Sequence, residues 1–130
     1  MSLGGAAAQQ QHHITVLDDS RTVLASVRHA LEQAGAAVDT ATDPSELDPE
    51  KVRAASLIVV DVNMEQVFGD DVVSFLRDRW QISAPIYLYS SLPIEELLKR
   101  ASAAGANGAV CKNDGVGALV RKVREALGVA

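Results

Sequence analysis

The chain has 130 residues, of which 48% are hydrophobic, and a formal net charge of −5. This length suffices for one domain whose core buries about two thirds of the surface that the unfolded chain would expose. The basic residues are spread over several segments without interleaved aromatic residues, so we expect neither a nucleic-acid partner nor a membrane partner. The single cysteine cannot form an internal disulfide, and the sequence contains no apolar run of membrane length and no apolar leader. These features predict a cytoplasmic protein.

The first residues differ in composition from the rest of the chain. Residues 1–11 are mostly Gly, Ala and Gln, with no apolar period. We therefore predict that residues 1–12 form a disordered arm or linker and that residues 13–130 form the folded domain.

The first half of the domain contains three predicted strands. Ile14–Leu17 is a short apolar strand that ends in two aspartates, and a helical stripe follows it until Gly35 (Val23, Val27, Ala30, Leu31, Ala34). Ala37–Ala41 is a weakly alternating second strand. Two Asp-Pro pairs, at residues 43–44 and 48–49, predict a short helix whose start is ambiguous. The uninterrupted apolar run Leu57–Val60 predicts a strand that is covered on both faces.

The second half continues the alternation of helices and strands. A third helix opens at Gly69, and its predicted inner face is Val72, Phe75 and Leu76. A fourth strand, Ile86–Ser90, precedes a helix with a predicted inner stripe (Ile94, Leu97, Leu98, Ala101). A fifth strand, Gly108–Cys111, runs into a lysine and a last amphipathic helix (Val116, Leu119, Val120, Val123, Leu127).

Five strands that alternate with helices predict an α/β fold with a doubly wound parallel sheet and right-handed crossovers. For five strands the common order is 2-1-3-4-5, the flavodoxin-like arrangement. Ligands of such sheets bind beyond the carboxyl ends of the strands.

Polar residues stand at four of these predicted strand ends. Each has an ordinary structural interpretation: Asp18, Asp19 and Ser90 could cap helices, Asp61 could belong to a turn, and Lys112 could be solvated. Together, however, they place three acids, a hydroxyl and an ammonium at one edge of the sheet. Two carboxylates about 4 Å apart repel each other by roughly 4 kcal/mol at an effective dielectric constant near 20. A divalent cation removes this repulsion, and hard oxygen ligands suit Mg²⁺. The set therefore predicts phosphoryl transfer to Asp61.

These residues resemble the receiver domain of bacterial two-component response regulators. The resemblance covers residues 14 to about 127. It rests on five ordered motifs: the acidic pair in VLDDS, the aspartate in IVVDVNM, Gly69, the hydroxyl in PIYLYS and the lysine in GANGAVCK.

The resemblance implies a role for each site residue. Asp61 would accept a phosphoryl group from a histidine kinase, a phosphotransfer protein or a small phosphodonor. Asp18, Asp19, Asp61 and the backbone carbonyl of Asn63 would bind Mg²⁺. Lys112 would pair with the phosphoryl group, and Ser90 would move to hydrogen-bond it. A downstream protein partner or an attached output domain would read the change, and the domain would not be a turnover enzyme.

The sequence also departs from the family pattern. Glu65 and Phe68 stand where a proline and an aspartate are common, Asn113 replaces a proline after the lysine, and Ala109 replaces an aromatic residue. These departures leave open a pseudo-receiver that is not phosphorylated and acts as a constitutive docking module. An aspartate-nucleophile phosphatase is a third hypothesis, but Asn63 cannot supply the general acid that such an enzyme needs.

Overall fold

The computed structural model describes residues 11–129, so most of the predicted N-terminal arm lies outside the described residues. Strands and helices alternate along the chain. The strands are β1 (His13–Leu17), β2 (Ala37–Ala41), β3 (Leu57–Val60), β4 (Ile86–Ser90) and β5 (Gly108–Cys111). The helices are α1 (Arg21–Gln33), α2 (Pro49–Ala54), α3 (Gly69–Asp78), α4 (Ile94–Ala104) and α5 (Val116–Leu127). Two short 3₁₀ turns, Pro44–Glu46 and Lys112–Asp114, precede α2 and α5.

The five strands form one parallel sheet in the order β2-β1-β3-β4-β5, so the predicted fold class and strand order are confirmed. β1 pairs with both β2 and β3, and the chain reverses its direction of progress across the sheet at this point. All five carboxyl ends therefore lie at one edge, with β1 and β3 adjacent at its centre. No helix within residues 11–129 is long and apolar enough to cross a membrane.

Helices cover both faces of the sheet, as a doubly wound fold requires. On one face, α2, α3 and α4 pack against the strands through buried residues such as Val52, Leu76 and Leu97. On the other face, α1 and α5 pack through residues such as Leu31 and Leu119. The four residues of β3 are at most 1% exposed, which explains why this strand has no polar alternation.

The helix faces differ in part from the predicted ones. Phe75 is 44% exposed and packs edge-on against Trp80, whereas Val73 takes the buried place beside Val72 and Leu76. In α4 only Leu97 and Ala101 are buried, and the rest of the predicted stripe is wrong: Ile94 and Leu98 are 41% and 48% exposed. A helix that lies on a sheet buries a narrow stripe, so residues one position to its side face solvent.

The short helix after β2 begins where the second Asp-Pro pair predicts. Asp48 caps α2 by accepting a hydrogen bond from the amide of Glu50 at 3.0 Å, and Pro49 is its first residue. The first pair, Asp43 and Pro44, starts only the 3₁₀ turn. The two pairs thus initiate two separate elements.

At the amino ends of the strands, the side chain of Arg77 in α3 binds several loops. Its guanidinium donates hydrogen bonds of 2.7–2.9 Å to the backbone carbonyls of Ile82, Ala84 and Gly105 and to the side chain of Asn107. Burial lowers the pKa of Arg77. The side chain therefore connects α3 to the segments before β4 and β5.

Candidate functional site

A cleft at the carboxyl edge of the sheet contains two buried acids. Asp18 follows β1 and is 1% exposed, and Asp61 follows β3 and is 4% exposed. Backbone hydrogen bonds extend the strand pairing to both residues: the amide of Asp18 donates to Ala41 at 3.1 Å and the amide of Asp61 donates to Leu17 at 2.9 Å. The strand pairing therefore fixes the backbone positions of both aspartates.

Lys112, directly after β5, reaches both acids. Its ammonium Nζ lies 2.7 Å from Oδ2 of Asp18 and 3.4 Å from Oδ1 of Asp61. The ring of Tyr89 lies beneath the ammonium, with its centroid 5.6 Å from Nζ, within the range of a cation–π contact. One cation thus bridges the two buried carboxylates, and an aromatic face supports it.

Asp19 completes the acidic group. It is exposed, and its Oδ2 accepts a hydrogen bond from the backbone amide of Glu65 at 2.9 Å. One oxygen from each of Asp18, Asp19 and Asp61 can be chosen so that all three lie within 4.8 Å of one another. The acidic pair does not cap α1, because Ser20 is the N-cap and accepts from the amide of Val23 at 3.2 Å.

The strand-end hydroxyl of Ser90 is bonded to a different partner. Ser90 is 1% exposed, and its Oγ accepts a long hydrogen bond, 3.4 Å, from the amide of Leu92. Among the described residues it makes no hydrogen bond to the acids or to Lys112. Ser90 does not cap α4 either, since Pro93 holds that position without a side-chain cap. The structure brings the three acids and the lysine together, and Ser90 is a buried hydroxyl that makes no hydrogen bond with them among the described residues.

Backbone pairing joins the two ends of the loop that follows Asp61. Asn63 pairs with Phe68 in an isolated antiparallel bridge, and the amide of Gly69 donates to the carbonyl of Val62 at 2.8 Å. A Cβ atom on Gly69 would lie 1.9 Å from the carbonyl oxygen of Asp61, so only glycine fits here. The close approach of α3 to the end of β3 is the physical reason for the glycine, and Asn63 lies in this loop, two residues after Asp61.

The residues that depart from the family pattern do not disrupt the contacts between Lys112 and the acids in the cleft. The bond between Lys112 and Asn113 is a trans peptide, and Lys112 still reaches the acids. Phe68 is 54% exposed and lies under the guanidinium of Arg100, 5.5 Å from ring centroid to Cζ. Ala109 is part of the core. Cys111 is buried as well, as a free thiol.

The electrostatics of the cleft favour a cation. Burial is the largest cause that raises the pKa of Asp61, to about 6, and the charges of Asp18 and Asp19 add to it while Lys112 opposes it. Burial also lowers the pKa of Lys112, but its hydrogen bond and ion pairs with Asp18 and Asp61 outweigh this and raise the pKa overall. Lys112 therefore stays charged, and one ammonium does not fully compensate three acids.

The donor set fits Mg²⁺. Three carboxylates converge, the described residues place no histidine or thiolate among them, and the one ammonium of Lys112 does not balance their charge. Oxygen-only ligands of this kind are those that Mg²⁺ prefers. The acidic cluster thus fits a magnesium site.

Two contacts of the site are not predicted from the sequence. In the sequence Glu65 stands out only as a departure from proline, yet a residue other than proline keeps the amide that binds Asp19. Tyr89 is not among the predicted site residues, and its position beside Ser90 is the only sequence signal for its contact with Lys112.

The fold and this cleft define a doubly wound α/β domain with an acid–lysine site at the carboxyl edge of its sheet. The model of the family described as response regulator receiver domain matches residues 14–124. The chain therefore belongs to the response regulator receiver domain family. Members accept phosphoryl groups on aspartate, interact with kinases and output domains in general, and are signalling modules, not turnover enzymes.

Solved structures agree with this assignment. The chemotaxis response regulator CheY4 of Vibrio cholerae is 27% identical with a TM-score of 0.80, and the match covers 91% of this chain and 100% of that one. A CheY-like receiver domain protein from Methanospirillum hungatei is 20% identical with a TM-score of 0.78, covering 92% and 95% of the two chains. The BeF3-activated receiver domain of DrrB, from Thermotoga maritima, is 21% identical with a TM-score of 0.75, covering 92% and 99%. The last two similarities concern the fold alone. No curated protein sequence matches the chain at a significant level.

Proposed function

We propose that this domain accepts a phosphoryl group on Asp61 in a Mg²⁺-dependent reaction and thereby switches its protein contacts. The donor is a histidine kinase, a phosphotransfer protein or a small phosphodonor. The observation that carries the proposal is the position of Lys112, whose ammonium lies within 3.4 Å of Asp61 and 2.7 Å of Asp18 in a cleft of three acids. Such an arrangement combines a buried nucleophile with fixed positive charge.

Each residue of the cleft has a part in this reaction. Asp18, Asp19, Asp61 and the backbone carbonyl of Asn63 would hold Mg²⁺, which neutralises charge on the phosphoryl oxygens when it is bound. A carboxylate oxygen of Asp61 attacks phosphorus, the bond from phosphorus to the donor breaks, and an acyl phosphate forms. Lys112 leaves its ion pair with Asp61 for the new phosphoryl oxygens, because the phosphorylated carboxyl group no longer carries the carboxylate charge.

The buried hydroxyl of Ser90 supplies the conformational step. Its hydrogen bond with the amide of Leu92 is long, 3.4 Å, so the hydroxyl gives up little when it turns to donate to the phosphoryl group. This movement would carry the loop before α4 along and change the surface near that helix. A downstream protein partner or an attached output domain would read the change, in the cytoplasm.

Intact-mass measurement after incubation with acetyl phosphate and Mg²⁺ tests the proposal. We expect the wild type to gain one phosphoryl group, Asp61→Asn to gain none, and EDTA to prevent the gain. If the wild type gains no mass and a beryllofluoride titration also shows no binding, the domain is a pseudo-receiver that acts as a fixed docking module. Equal labelling of the wild type and Asp61→Asn would contradict the assignment of the nucleophile.

A further inference from the structure

The carboxylate of Asp19 is held by one backbone contact from a distant part of the chain. Asp19 is exposed, unlike the two buried acids, so packing does not restrict its rotamers. Its Oδ2 accepts a hydrogen bond of 2.9 Å from the amide of Glu65, 46 residues away in sequence. A carboxylate has two oxygens, so the other remains available to a cation.

The backbone amide of Glu65 has a fixed position because the two ends of its loop are joined. The bridge between Asn63 and Phe68 joins the two ends of the loop, and the amides of Met64 and Gly69 both donate to the carbonyl of Val62, at 3.2 and 2.8 Å. Glu65 lies between these anchors. The position of its amide is therefore fixed relative to Asp61, the residue that follows β3.

The residue type at position 65 matters for this contact. Proline has no amide hydrogen, so a proline at this position could not donate to Asp19. The side chain of Glu65 is exposed, and the contact uses only the backbone. Any residue other than proline supplies the same donor.

We propose that the backbone amide of Glu65 is a positioning group that orients Asp19 for the divalent cation. The inference rests on the proposed function, since it concerns the cation which that function requires. A hydrogen bond that fixes the rotamer of an exposed ligand removes part of the entropy that the side chain would lose on binding the cation. It also connects the cation site to the loop that follows the phosphoacceptor.

Mg²⁺ affinity measured by calorimetry on the full chain tests the inference. We expect Glu65→Pro to weaken Mg²⁺ binding about tenfold, as loss of a partner that orients a ligand commonly does. Glu65→Ala removes the side chain but keeps the amide, and we expect it to bind Mg²⁺ within about twofold of the wild type. Gln66→Pro is the matched control, because the amide of Gln66 has no hydrogen-bond partner among the described residues.

A second measurement keeps the inference testable if Glu65→Pro fails to fold. In the metal-free protein, amide hydrogen exchange by NMR should be at least about tenfold faster at Glu65 in Asp19→Ala than in the wild type. Unchanged exchange, wild-type affinity in Glu65→Pro, or an equal loss of affinity in Glu65→Ala or Gln66→Pro would each overturn the inference. If the wild type does not bind Mg²⁺, both the proposed function and this inference are overturned. If the wild type binds Mg²⁺ and Glu65→Pro binds it equally well, only the inference is overturned.

Discussion

Replacing Asp61 with asparagine is expected to stabilise the metal-free protein. Asp61 is 4% exposed and lies beside Asp18, so burial and repulsion disfavour its ionised form and raise its pKa to about 6. At neutral pH the folded state must nevertheless keep this group ionised. Asparagine has nearly the same shape and no charge, so the variant avoids this cost.

The size of the gain follows from the pKa. A difference between the ordinary pKa of 3.8 and about 6 corresponds to at most about 3 kcal/mol in the free energy of unfolding. Asp19 is exposed and Lys112 is partly exposed, so solvent screens these charges, and we expect roughly 1–2 kcal/mol. Because the raised pKa means that the folded state binds more protons than the unfolded state between about pH 4 and 6, the wild type loses stability as the pH rises through this range.

Denaturant unfolding with EDTA present, at matched pH values from 4 to 7.5, measures this gain. The advantage of Asp61→Asn should be near zero at about pH 4 and complete above about pH 7, and Mg²⁺ should reduce it by stabilising the wild type. Glu125→Gln, which removes an exposed carboxylate on α5, controls for net charge and should change stability little. An Asp61→Asn variant that is less stable than the wild type at pH 7.5, or a gain that does not vary with pH, would refute the reasoning.

Three further substitutions test other parts of the account. Gly69→Ala should lower stability by about 1–3 kcal/mol in denaturant unfolding, because its Cβ would lie 1.9 Å from the carbonyl oxygen of Asp61; wild-type stability would contradict the close approach. Arg77→Met should cost about 2–4 kcal/mol in the same assay, since it leaves three backbone carbonyls without their charged donor, and a cost under about 0.5 kcal/mol would show that water replaces it. Lys112→Met should slow labelling by acetyl phosphate about 100-fold without weakening Mg²⁺ binding in calorimetry, because it removes a cation that opposes the metal; unchanged labelling would contradict the role of Lys112.

The sheet could be predicted from the sequence because its signals are local. The apolar run Leu57–Val60 requires a strand with two covered faces, and the alternation of strands with helical stripes leaves few topologies. The polar residues at the strand ends could be grouped for the same reason: once the strands are parallel, their carboxyl ends share an edge. The convergence of Asp18, Asp61 and Lys112 then follows from topology.

Features that depend on how elements approach one another could not be predicted. Helical periodicity indicates an apolar stripe, but packing against the sheet decides that Val73 is buried and Phe75 is not. The contact between Asp19 and the amide of Glu65 joins residues 46 positions apart through the geometry of a loop. The contacts of Arg77 likewise depend on where the segments near β4 and β5 end. These details require the three-dimensional structure.

The most direct test of the central claim locates the phosphoryl group on the chain. Treatment of the acetyl-phosphate-labelled protein with sodium borohydride reduces an acyl phosphate to an alcohol, so peptide mapping by mass spectrometry can identify the modified carboxylate. We expect homoserine at position 61 in the wild type, only when Mg²⁺ was present during labelling. Homoserine at Asp18 or Asp19 in its place, or a labelled protein with no reduced carboxylate, would contradict the assignment of Asp61 as phosphoacceptor.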